Sequence, residues 1–369
     1  MMTGTPGARI SVLIVHDSAA ARAAYRALLS TDRGIAVMGS AADPLDAAAM
    51  MRKRMPDVLL LDLDMARMDG LTFLRKVMAQ HPLPVVICSD RSPKGSVQAL
   101  RALELGAAEV IDKPRIVTEA DRQEALIRLG DAIRAAAQTR RHAVRSPPPP
   151  LGVEPKRTAD AILPPARPGA ARVPRAGPLV AIGASTGGTE ALLEVLAALP
   201  GAAPPVVMVQ HMPETFTGAF ARRLDAQCGI RVAEATTGQL TEPGLALLAP
   251  GNRHMVLHRQ GLQYRVEIVE GPSVTRHRPS VDVLFRSTAQ VAGGNALGVL
   301  MTGMGDDGAR GLLEMRQAGA ETVVQDEASC VVFGMPREAL AIGASDRALP
   351  LGRLAGEIMA WADRRGGAG

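Results

Sequence analysis

This 369-residue sequence predicts an α/β protein of two doubly wound parallel-sheet domains joined by a Pro/Arg-rich linker. Three observations carry the prediction. Short apolar runs of strand length alternate with helical patterns on either side of residue 150. Several of these runs end in polar or glycine-rich turns, as strand carboxyl ends do when they share one ligand-binding edge of a parallel sheet. Between the two sets, residues 139–178 hold ten of the 27 prolines and eight Lys/Arg against two Asp/Glu, a composition that reads as an extended, solvated linker. The boundaries expected are 1–137, 138–177 and 178–369.

Composition excludes some function classes. The formal net charge of +5 suggests a nucleic-acid partner until it is located, because the linker alone outweighs it. That segment reads as a charged spacer, with an electrostatic docking tail as the alternative. Aromatic residues make up 2%, too few for a base-stacking surface. Cys88, Cys228 and Cys330 are far apart in apolar contexts and read as buried thiols in a reducing compartment. No signal peptide and no apolar run of membrane-spanning length is visible, so a cytoplasmic protein without membrane insertion is expected.

In the first domain, 10–15 is a buried-strand run ending in His16-Asp17-Ser18, with a helical stretch to Leu29. The run 58–61 ends at Asp62, 85–88 ends at Ser89, and 110–111 leads into Asp112-Lys113-Pro114. Asp17, Asp62, Ser89 and Lys113 should therefore converge at one edge. Two carboxylates beside a lysine and a hydroxyl suit a hard divalent cation and a phosphoryl group.

Residues 9–120 resemble the receiver domain of bacterial response regulators, of flavodoxin-like fold, on Pro56-Asp57-Val58-Leu59-Leu60-Leu61-Asp62 with Met65 and Met68-Asp69-Gly70. The resemblance implies Asp62 as phosphoacceptor, Mg²⁺ held by Asp17, Asp62 and the backbone carbonyl of Asp64, Ser89 as switch hydroxyl, Lys113 as phosphoryl-binding lysine and a histidine kinase as phosphodonor. Three positions depart from the family pattern. His16 replaces an acidic residue, Ala66 a frequent proline, and Val110 an aromatic switch residue. An imidazole at 16 weakens the metal site, which leaves two readings open: a phosphorylatable receiver or one that only docks.

The second domain opens on 179–184, an apolar run that ends in Gly183-Ala184-Ser185-Thr186-Gly187 before a helical pattern to Leu199. A nucleophile at that turn would stand beside a helix amino terminus, where amides and dipole favour developing negative charge. The run 205–209 ends at Gln210-His211-Met212-Pro213, and 296–302 runs into Gly303-Met304-Gly305-Asp306-Asp307-Gly308. Strands are also expected at 245–249 and 321–325, and a β-hairpin over 254–269. Ser185, His211 and Asp307 thus each follow a strand of one sheet, the set an acyl-transfer enzyme needs: nucleophile, base and orienting acid.

A lone serine in a glycine-rich turn is usually structural, and only the company of His211 and Asp307 reverses that. His254 and His258, four apart, read as hairpin surface and not as metal ligands. His277 suits a hydrogen-bonding role as well as a catalytic one. Met65, Met68, Met301 and Met304 read as packing residues. Residues 303–308 also fit the dinucleotide fingerprint, but the carboxylates of Asp306 and Asp307 would repel a pyrophosphate.

From 178 to about 351 these residues resemble the chemotaxis protein-glutamate methylesterase family, whose catalytic domain is Rossmann-like. The motifs are 182–190, Gln210-His211-Met212-Pro213, Arg278-Pro279-Ser280-Val281-Asp282, 302–308 and 327–336. The resemblance implies hydrolysis of glutamate γ-methyl esters on methyl-accepting chemoreceptors, releasing methanol, and deamidation of receptor glutamines. It implies Ser185 as nucleophile, His211 as base, Asp307 as orienting acid, the Met304 amide as oxyanion donor, and Thr186 and His277 bordering the site. Ester hydrolysis then needs no cofactor. Asp306 departs from a common asparagine and adds negative charge beside the triad. The competing class is a phosphorylation-dependent partner-binding regulator with a repurposed or inactive hydrolase domain.

Overall fold

The computed structural model describes residues 9–65, 69–90, 93–114, 118–140, 157–165 and 177–366. They form two compact units, divided between residues 152 and 153. Ala66 and Met68 lie outside the described residues.

The first unit runs β1 (Ile10–Val15), α1 (Ala19–Leu29), β2 (Ile35–Ala41), α2 (Pro44–Lys53), β3 (Val58–Asp62), α3 (Gly70–Gln80), β4 (Val85–Ser89), α4 (Pro93–Glu104), β5 (Glu109–Asp112) and α5 (Glu119–Arg140). Its five strands are parallel in the order β2-β1-β3-β4-β5. Residues 12–15, 58–61 and 85–87 are almost fully buried, which is why these strands read as unbroken apolar runs. Ser18 caps α1 by accepting from the Ala21 N–H, and Asp43 caps α2 ahead of Pro44. Helix α5 continues past residue 137, where the sequence places the domain boundary.

The second unit runs β6 (Leu179–Ala184), α6 (Gly188–Ala197), β7 (Val206–Gln210), α7 (Glu214–Gln227), β8 (Arg231–Glu234), β9 (Leu245–Leu248), β10 (His254–Gln260), β11 (Gln263–Val269), α8 (Val281–Ala292), β12 (Ala296–Leu300), α9 (Ala309–Gln317), β13 (Glu321–Gln325), α10 (Met335–Ala341), β14 (Ala348–Leu349) and α11 (Leu351–Gly366). Seven parallel strands lie in the order β14-β13-β12-β6-β7-β9-β8, and β10 and β11 form a separate antiparallel hairpin. Strand β6 lies between β7 and β12, so the chain order reverses there and opens a crevice at the strand carboxyl ends. Phe285, Leu284 and Val281 of α8 pack with Leu300, Leu312 and Met335 in the main core.

Three expectations need correction. Residues 157–165, inside the expected solvated linker, make a 3-10 turn packed on the second unit through Ala159, Ile162 and Leu163. His254 is not hairpin surface. It is fully buried, its Nε2–H donating to the Pro272 carbonyl (3.0 Å) and its Nδ1 accepting from the Ser280 N–H (3.2 Å). Burial pushes its pKa down, so it serves as a neutral structural strut, while His258 is half-buried and pairs with Glu267. Cys88 and Cys330 are buried free thiols, but Cys228 is only half-buried.

Candidate active site

Register brings the expected residues of the second unit together. Ala184 pairs with Gln210 across β6 and β7, so Ser185 and His211 are the next residues on neighbouring strands, and the His211 N–H donates to the Ala184 carbonyl (3.1 Å). On the other side of β6, the Ser185 N–H donates to the Thr302 carbonyl (3.0 Å) in the turn that leads to Asp307. This turn needs its glycines. A Cβ on Gly303 would lie 2.8 Å from the Ser185 Cβ, and Gly187 adopts φ +79° where the serine turn enters α6.

His211 Nε2 lies 2.7 Å from Asp307 Oδ2. Asp307 is fully buried, so its charge must be met by donors, and α8 supplies them. Its carboxylate accepts from the Ser280 hydroxyl (2.7 Å) and from the N–H groups of Val281 (2.8 Å) and Asp282 (3.1 Å). Burial pushes its carboxyl upward, but the His211 hydrogen bond and charge, His277 and the Ser280 hydroxyl outweigh burial and hold it below the ordinary range. With Nε2 committed to Asp307, the other ring nitrogen, Nδ1, is buried and makes no hydrogen bond.

His277 stacks face to face on His211, with centroids 3.7 Å apart and planes 5° apart. Donor atoms of His211, His277 and Asp307 lie within 4.8 Å of one another. Stacking nevertheless sets the in-plane lone pairs of the two rings side by side, and a tetrahedral ion needs them to converge. Thr186 is buried and its carbonyl accepts from the Thr302 hydroxyl (2.9 Å). Met304 lies half-buried in the same glycine-rich turn.

Four residues at the site carry no role in the sequence reading. Gln210 donates from Nε2 to the carbonyls of Ser185 (2.9 Å) and His211 (3.1 Å), tying the two turns together. Thr302 bonds both Thr186 and the Val332 N–H (3.0 Å). Ser280 and Asp282 belong to the cradle. A serine at the foot of an amphipathic helix is a capping signal, but here its hydroxyl serves Asp307 and not its own helix.

Asp282 has a consequence for pH. Its carboxylate accepts from the N–H groups of Gly308 (3.0 Å) and Gly311 (2.7 Å) and the Thr275 hydroxyl (3.0 Å), yet burial, then the Asp307 charge, push its pKa up to about 7. The folded state therefore holds this proton between pH 3.8 and about 7, where the unfolded chain has released it. The stability it contributes is full below that interval and is lost as pH rises through it. The melting temperature of this unit's transition in the full chain should show a downward component over that interval, and Asp282→Asn, which keeps an acceptor for both glycines, should flatten it. A profile unchanged by the substitution would count against the assignment.

In the first unit, Asp62 is the last residue of β3, Ser89 pairs with Asp112 across β4 and β5, and Lys113 follows. Lys113 Nζ lies 2.7 Å from Asp62 Oδ1. His16 lies between two carboxylates, with Nε2 3.3 Å from Asp62 Oδ2 and Nδ1 3.2 Å from Asp17 Oδ1. Asp62 Oδ2 and Asp64 Oδ2 are buried and accept no hydrogen bond, and burial, then Asp90, push the Asp64 carboxyl above its ordinary value. Crowded carboxylates with buried oxygens that accept no hydrogen bond fit a hard divalent cation. His16 is the one imidazole where the receiver pattern has an acid, and Val110 is buried where that pattern has an aromatic ring.

The CheB methylesterase family model matches residues 180–358, and the response regulator receiver domain model matches 12–121. A protein-glutamate methylesterase/protein-glutamine glutaminase of a group 3 operon from Cereibacter sphaeroides is 56% identical over 366 residues, 99% of this chain and 98% of that one. Another from Anaeromyxobacter dehalogenans is 56% identical over 357 residues, 96% of this chain and 98% of that one. The crystal structure of the Thermotoga maritima CheB methylesterase catalytic domain is 34% identical with a TM-score of 0.49, covering 50% of this chain and 99% of that one. With more than half of its residues shared along nearly the whole length of such relatives, this chain belongs to the family of protein-glutamate methylesterases/protein-glutamine glutaminases, a receiver domain preceding a CheB methylesterase domain.

Proposed function

We propose that this chain is a phosphorylation-regulated hydrolase that removes γ-methyl esters from glutamates of cytoplasmic chemoreceptor segments and deamidates glutamines there. The observation that carries the reading is the His211 Nε2 contact to buried Asp307, which leaves Nδ1 without a partner beside the Ser185 turn. Ser185 Oγ attacks the ester carbonyl carbon while its proton passes to His211 Nδ1. Asp307 keeps the other ring proton on Nε2 and stabilises the imidazolium. The oxyanion is met by the amino terminus of α6 and the Met304 amide. Collapse breaks the C–O bond, and methanol leaves with the proton from His211. Water then loses a proton to His211 and attacks the acyl carbon; the bond to Ser185 Oγ breaks as His211 returns the proton to that oxygen, and glutamate is freed. With glutamine, ammonia is the leaving group.

In the receiver, Asp62 accepts the phosphoryl group from a chemotaxis histidine kinase, with Lys113 and Ser89 contacting it. Asp17, Asp62 and the Asp64 carbonyl would hold Mg²⁺, which would neutralise phosphoryl charge when bound. Phosphorylation shifts the population toward an accessible active site. None of the described helices is long and apolar enough to cross a membrane, and the enzyme acts from the cytoplasm.

Two measurements test this. Methylated receptor membranes should release volatile methanol when mixed with the full chain, faster with a small phosphodonor present; no release in either condition would leave only a partner-binding regulator. Labelling by the phosphodonor should vanish in Asp62→Asn, and a wild-type chain that never labels would make the receiver a docking module.

A further inference from the structure

Residues 157–165, which the sequence reads as linker, belong to the second unit and are seated on its hydrolase fold. Asp160 Oδ1 accepts from Arg286 Nη1 (2.5 Å), and the same nitrogen donates to the Leu163 carbonyl (2.9 Å). Gln290 Nε2 donates to the Pro164 carbonyl (2.8 Å). Arg286 is buried and held from behind by Glu314, which takes both its Nε and its Nη2. Beneath the polar bonds, Ala159, Ile162 and Leu163 pack on Val256, Val274 and Val283. A charged spacer needs none of this.

The upstream end of the strap reaches the active site. The Arg157 carbonyl accepts from the Thr275 N–H (2.9 Å). Thr275 (φ 48°) and Arg276 (φ 70°) are consecutive non-glycine residues in the left-handed region, a strained arrangement that surrounding bonds must hold. Backbone bonds pair Val274 with His277 in both directions (3.0 and 2.8 Å), and the turn is further held by the Thr275 N–H donating to the Arg157 carbonyl (2.9 Å), the Thr275 hydroxyl donating to Asp282 (3.0 Å) and His277 Nδ1 donating to the Thr275 carbonyl (2.8 Å). The residue this turn presents is His277, stacked on His211.

We propose that the strap 157–165 is a working part of the hydrolase site: it holds the 274–277 turn so that His277 fixes the plane of the His211 imidazole. The proposal rests on the reading of Ser185, His211 and Asp307 as the reacting groups. His277 touches His211 and not the reacting carbonyl, so it is a positioning residue, and Asp160 acts through it. Without the strap the N–H of buried Thr275 loses its acceptor and the turn relaxes toward negative φ. The His277 ring then leaves its stack, and His211 Nδ1 wanders from the serine.

The test is a double-mutant cycle on the full chain, read as kcat and KM for a small activated ester, with melting temperature alongside. The Asp160 side chain is 58% exposed, so Asp160→Ala should fold. It should lower kcat roughly tenfold with little change in KM, and Asp160→Glu should recover most of the loss. Replacing 157–165 by Gly/Ser of equal length should do at least as much. In a His277→Ala background, Asp160→Ala should cost nothing further. Strap variants that keep full kcat, or that cut it by the same factor with and without His277, overturn the proposal. Activity that survives Ser185→Ala would instead overturn the serine reading beneath it.

Discussion

Replacing Ser185 by alanine is expected to lower ester hydrolysis about 10⁴- to 10⁶-fold, in kcat and not in KM, because it removes the nucleophile and leaves substrate contacts in place. The fold should persist. The bonds that hold this turn are made by the backbone, from the Ser185 N–H to Thr302 and to the Ser185 carbonyl from Gln210 and Gly188. Only one oxygen is deleted, and the Cβ, which leaves no room for a side chain on Gly303, is kept. Circular dichroism and melting should therefore match the parent while methanol release disappears. Phosphoryl labelling of the receiver should be unaffected.

Asp307→Asn should be nearly as damaging, by about 10⁴-fold in kcat, for a different reason. Oδ1 accepts from Ser280 and Asp282, and Oδ2 from Val281 and His211. An asparagine oxygen can serve one of these pairs. Its amide would face the N–H of the other, donor against donor. If Nδ2 faces His211, the ring proton moves from Nε2 to Nδ1, and the serine hydroxyl meets a donor where it needs an acceptor. If Nδ2 faces the Ser280 side, the Ser280 hydroxyl can turn to accept from it, but the buried Asp282 N–H loses its acceptor. The substitution should therefore also cost about 1–3 kcal/mol of stability, visible in denaturant unfolding. Near-normal kcat in Asp307→Asn would mean that the carboxylate does not orient the base.

Much of this site is legible in the sequence because parallel strands buried on both faces read as continuous apolar runs. The residue after each run is then a rim residue. That logic places Ser185, His211, Asp62, Ser89 and Lys113 at strand ends, and the structure brings His211 onto Asp307 and Lys113 onto Asp62. It misses β2, β8 and β14, which lie at sheet edges where burial is partial and the composition mixed. It misplaces His254 because a period-2 reading assumes one wet face, and the start of β10 is buried on both. The Asp307 cradle is hidden because its donors sit 25 to 27 residues upstream on another element. The strap is hidden by its surroundings: arginines and prolines dominate the segment, and three apolar side chains do the docking.

Mapping the covalent intermediate tests the serine mechanism most directly. The full chain is mixed with a small activated acetate ester, quenched in acid and digested, and the acetylated peptide is located by mass spectrometry. Acetyl should be found on Ser185, accumulate in the first turnover, and be absent from His211→Ala. Acetyl on any other side chain with Ser185 unmodified, or turnover undiminished without Ser185, would contradict it.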